Sequence, residues 1–85
     1  MQRYTTRATG KATLLDLSQE AEAIAKLADF EDLLEELLAA QTEIPAELER
    51  LRLAGKEKSV RYKELLGTKL LNNHAVALFR DKGLC

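Results

Sequence analysis

One cysteine, one proline, one histidine, four glycines, four Phe or Tyr and no tryptophan leave this 85-residue chain with few of the usual staples and catalysts. Cys85 alone cannot close an internal disulfide, and no Cys/His cluster offers the ligand set of a structural zinc. A di-metal helical site needs Glu-x-x-His on two helices, but His74 has no acid three residues before it. Nucleophilic catalysis has no footing: Cys85 has no base fixed near it, and no serine lies in a Gly-x-Ser-x-Gly setting. Gly55-Lys56 lacks the upstream glycine and the following Ser/Thr of a phosphate-binding loop. The residues therefore predict no enzyme, no cofactor and no metal. No apolar run approaches the ~20 residues that span a bilayer. The opening MQRYTTRATGK lacks the apolar core of a signal peptide. One free thiol suits a reducing interior, so the expected compartment is the cytoplasm, with no membrane partner.

What the chain does have is charge, segregated along its length. The net charge of −1 conceals a basic start (Arg3, Arg7 and Lys11 with no acid), an acidic middle and a basic end. Residues 16–49 carry eleven acids against Lys26 alone, and residues 50–85 carry nine bases against Glu57, Glu64 and Asp81. Interleaved blocks of opposite sign suit packing within a chain or between chains.

The expected organisation is an extended segment over 1–15 followed by one helical domain over 16–85. The threonine-rich opening is read as extended or as a short β-hairpin turning at Thr9-Gly10-Lys11. Residues 17–43 hold no glycine or proline and predict one long amphipathic helix, capped by Asp16 or Ser18. Its apolar arc covers roughly 240°, far wider than the ~100° of a helix with one covered face. Ile44-Pro45 is read as its end, because proline disfavours helical geometry at the residue before it. A helix over 45–54 follows, with Leu48 and Leu51 facing inward, Leu53 as a further candidate, and Gly55 as terminator. Ser59 is expected to cap a helix over 59–71 with Tyr62, Leu65, Leu66 and Leu70 inward; Gly67 inside it allows close helix approach or a bend. Asn72-Asn73 is read as a turn before a last helix over 74–82, which Gly83-Leu84 ends. The predicted fold class is thus all-α, a small bundle of one long and three shorter helices.

Arg3-Tyr4-Thr5, Arg7, Gly10, Ala12 and Leu14, followed by Leu27-Ala28-Asp29-Phe30-Glu31-Asp32, resemble small proteins encoded by bacteriophages and prophages. The resemblance covers residues 3–32. It implies a phage or mobile-element origin and carries no site residue.

Two functional readings follow. The wide apolar arc of the long helix predicts a self-associating interaction or structural protein, a homo-oligomer with the dimer favoured. Leu27, Phe30, Leu33, Leu34, Leu37 and Leu38 would form the contact, and another protein is the alternative occupant. The second reading is a nucleic-acid-binding regulator in which Lys56, Lys58, Arg61, Lys63 and Lys69 contact phosphates. Against it, the last helix (HAVALFRDKG) is mostly apolar, whereas a DNA-reading helix exposes polar residues to base edges.

Overall fold

The N-terminal threonines form a ladder. In the computed structural model, which describes every residue but Thr9, β1 (Thr5–Ala8) pairs antiparallel with β2 (Lys11–Leu14). The register sets Thr5 opposite Leu14 and Ala8 opposite Lys11. Leu15 N–H donates to the Tyr4 carbonyl at 2.9 Å, which extends the ladder past the last strand pair. Of the expected turn, Thr9 lies outside the described residues, Gly10 has φ +80° and Lys11 already begins β2. The positive φ is one that glycine adopts without steric cost.

Asp16 then starts the helical part. Its carboxylate accepts from the Ser18 N–H at 2.9 Å and the Ser18 hydroxyl at 2.7 Å, capping a single 3-10 turn, Leu17–Gln19. This turn leads into α1 (Glu20–Leu53), and α2 (Val60–Asp81) follows after one loop. The chain groups into two compact units, residues 1–32 and 33–85. The first holds the β-hairpin, the 3-10 turn and the opening turns of α1. The second is an antiparallel helical hairpin made by the rest of α1 and by α2.

The expected bundle of four helices is corrected here to two helices and a two-stranded hairpin. The first predicted break fails at Pro45, which lies inside α1. Proline in a helix interior removes one i→i−4 hydrogen bond and costs about 3 kcal/mol. Leu48 and Leu51 lie beyond it and form the core cluster with Leu65, against which Ile44 and Tyr62 pack. Burying a leucine is worth roughly 1.5–3 kcal/mol, and Leu48 and Leu51 stay in phase with Ile44 only if the helix runs on. Tertiary burial therefore outweighs the local penalty.

The second predicted break, at Asn72-Asn73, also lies within helix. Leu65 and Val76 are both buried, and their separation of eleven residues is close to three turns, so one continuous helix points both the same way. Asn73 Oδ1 accepts from the Gln41 side-chain amide at 3.4 Å, which ties the middle of α2 to α1. An asparagine that would otherwise favour a turn is satisfied here by a tertiary partner.

The predicted helix ends are found where glycine and serine stand. Gly55 has φ +73°, its N–H donates to the Arg52 carbonyl, and the Lys56 N–H donates to the Leu51 carbonyl at 2.9 Å. This double closure satisfies the last free carbonyls of α1. Gly83 and Leu84 close α2 in the same way, onto Arg80 and Phe79. The Ser59 hydroxyl accepts from the Tyr62 N–H at 3.2 Å and caps α2. Ser59→Ala is expected to cost about 1 kcal/mol, a fall in melting temperature of ~4–8 °C for a chain this small. An unchanged thermal melt would show that the hydroxyl does not hold the helix start.

Candidate functional site

Burial is scarce among the described residues. Only Leu34, Leu48, Leu51, Leu65 and Val76 are buried, and no polar or charged residue is. Two helices can each cover only one flank of the other, so the remaining apolar positions of α2 face outward. Val60 is 72 % exposed, Leu66 41 %, Leu70 65 %, Leu71 73 % and Leu78 54 %. At about 100° per residue, these five fall with Ala77 on an arc of roughly 140°, opposite the line through Leu65 and Val76. The expectation that Leu66 and Leu70 point inward is thereby corrected: Tyr62 and Leu65 take the inner face, and the other two take the outer one.

Gly67 lies near the middle of this outer face. A Cβ built there would meet nothing within 4 Å, so no part of this chain approaches it closely. A glycine inside a helix costs about 1 kcal/mol relative to alanine, and nothing within the chain offsets that.

The six residues expected to mediate self-association are distributed differently. Leu34 is buried within its own chain, Leu37 and Leu38 are half-buried, and Leu33 is exposed. In the other unit, Phe30 is half-buried and Leu27 exposed. Ile24, also exposed, lies one turn before Leu27 on α1. The broad apolar arc read from the sequence thus divides into buried or half-buried positions and positions left open.

The basic residues of the alternative reading do not share a face. Lys56 and Lys58 lie in the loop between the helices, and Arg61, Lys63 and Lys69 lie on α2. By helical geometry Lys63 is about 160° from Arg61, and Lys69 about 120° from Lys63, so these charges fan around the helix. The basic residues of the N-terminus are closer together: Arg3 and Arg7 line a shallow, open depression with Thr5, Thr6 and Leu15.

Charge pairing concentrates at the end of α1. Arg50 donates through Nε to Glu47 at 2.8 Å and Arg52 to Glu49 at 3.0 Å, each guanidinium adding a second bond to the same carboxylate. These hydrogen bonds hold both glutamates below their usual range, and those from Ser18 do the same for Asp16. A carboxylate lowered in the folded state adds stability above its unfolded pKa and loses it as pH falls through the folded one. Glu47→Gln removes that contribution, so its melting temperature is expected to fall less than that of the parent chain between pH 6 and pH 3. An equal fall in both would contradict it.

Among the described residues, no group of three His, Cys, Asp or Glu side chains is placed to hold a metal ion. None of the described helices is long and apolar enough to cross a membrane. In comparisons with known proteins, no family model, no curated protein and no solved structure matches this chain.

Proposed function

We propose that this chain is a self-associating interaction module whose contact surface is the outer face of α2, and that it acts by holding protein subunits together. The observation that carries this reading is the row of exposed apolar side chains at Val60, Leu66, Leu70, Leu71 and Leu78 on a helix whose other face is already buried. Exposed apolar surface gathered on one element, unlike single scattered leucines, marks a place where another surface docks. The small core supports the same reading, since only five of the described residues are buried and a second subunit would add to that burial. A bacteriophage or prophage setting, which the opening residues suggest, belongs to the same proposal.

The test is sedimentation equilibrium in reducing buffer, so that the exposed Cys85 thiol forms no cross-link. The mass should rise from one chain to two over the micromolar range. A strict monomer throughout would end the proposal. Nucleic-acid binding is not favoured, because the lysines and arginines of α2 fan around the helix.

A further inference from the structure

The outer face of α2 has an internal symmetry. Lys63 and Asp81 are eighteen residues apart, five helical turns, and therefore stand on one line. That line runs down the middle of the apolar arc, with Gly67 and Val60 to one side and Leu70 and Ala77 to the other. Three pairs of positions share one midpoint at residue 72: Lys63 with Asp81, Gly67 with Ala77, and Leu70 with His74.

From this we infer that the occupant of the face is a second copy of the same helix, packed antiparallel about a two-fold axis at the level of Asn72. The inference rests on the self-association proposed above and adds its geometry. In this register Lys63 lies opposite the partner's Asp81, twice over by symmetry, at the two ends of the contact. Gly67 lies opposite the partner's Ala77, two small residues in one layer on each side of the axis, which lets the backbones come close there. That accounts for a glycine with open space above it. Leu71 is one residue from the axis and about 80° around the helix from the Lys63–Asp81 line, so it flanks the contact on the same side as the partner's Leu71, which shields the most exposed leucine of α2. A parallel pairing would place Lys63 against the partner's Lys63 and Asp81 against the partner's Asp81. Like charges set against each other disfavour that arrangement, so the charge pattern selects the antiparallel one. Because the contact is one helix face, it is expected at the low end of specific interfaces in size, where transient encounters lie.

Charge exchange tests the register. Lys63→Asp and Asp81→Lys, made singly, each replace two attractive pairs by two repulsive ones and should each weaken association by at least about tenfold. The double variant restores opposite charges across the axis and should return the dissociation constant to within about threefold of the parent. Both positions are exposed, and circular dichroism of each variant checks that the helices persist. Recovery in the double variant supports the antiparallel pair. If the parent chain associates but the single variants do not weaken it, or the double does not recover, this register is wrong while self-association stands. If the parent is monomeric at every concentration, both fall together.

Discussion

Under the proposed self-association, replacing Leu70 and Leu71 together by glutamate should convert the dimer to a monomer without melting it. Both side chains stand mostly clear of their own chain, so the hairpin loses little when they change. Glutamate is as good a helix former as leucine, so α2 keeps its helicity. In the pair, four leucines leave the interface. Each buried leucine is worth roughly 1.5–3 kcal/mol, and four carboxylates then crowd around the axis. The dissociation constant is expected to rise at least about 100-fold, equivalent to about 2.8 kcal/mol. Sedimentation at the concentration where the parent is dimeric reads the change, with far-ultraviolet circular dichroism as the control. A variant that keeps the dimer mass would show that α2 does not supply the contact.

The second large effect concerns the hairpin itself. Leu51→Ala should unfold the helical hairpin or nearly so. Leu51 is the most buried member of the cluster with Leu48 and Leu65, and only five of the described residues are buried in all. Truncating a buried leucine costs about 2–5 kcal/mol through lost transfer energy and the cavity left behind. For a chain of this size that is a drop of ~10–30 °C in melting temperature. The contrast with Leu53→Ala is the sharper measurement. Leu53 lies two residues away on the same helix but is exposed, so its loss should change the melt by no more than about 0.5 kcal/mol. Equal effects at the two positions would mean that the hairpin does not pack through Leu51.

Both predictions turn on which leucines face inward, and this is where the sequence was least informative. The features legible in it were those decided by neighbours in the chain. Asp16 and Ser59 cap helix starts with their own oxygens, and Gly55 and Gly83 take the left-handed conformation that ends a helix. The threonine-rich stretch from Thr5 to Leu14, with Gly10 near its middle, is enough to suggest the hairpin. What stayed hidden was decided at a distance. Pro45 and Asn72-Asn73 carry strong local signals for a break. Those signals are overruled by Leu48, Leu51 and Val76, whose burial requires α1 and α2 to continue. With the Asn pair as a turn, Leu66 and Leu70 fall with Leu65 in a short helix with one inner face. Joining residues 60–81 into a single helix separates the apolar positions into two stripes, and only then does the outer one emerge. The candidate surface was therefore present in the sequence but masked by the wrong helix length.

The short connection between α1 and α2 also bears on how the chain acquires its structure. Gly55 and Lys56 fold back onto Arg52 and Leu51, and the Ser59 hydroxyl both donates to the Lys56 carbonyl at 2.7 Å and receives the Tyr62 N–H. All of these partners lie within a few residues of one another, and the cluster of Leu48, Leu51, Tyr62 and Leu65 begins immediately on either side. The loop to be closed before the first apolar contact forms is short, so its entropic cost is small. The hairpin should therefore nucleate at this bend and zip outward towards Leu34 and Val76. Chains dominated by such local contacts fold on the microsecond to millisecond scale. A hairpin that folds this way leaves its outer leucines bare before any encounter, so the proposed self-association would use a surface already shaped.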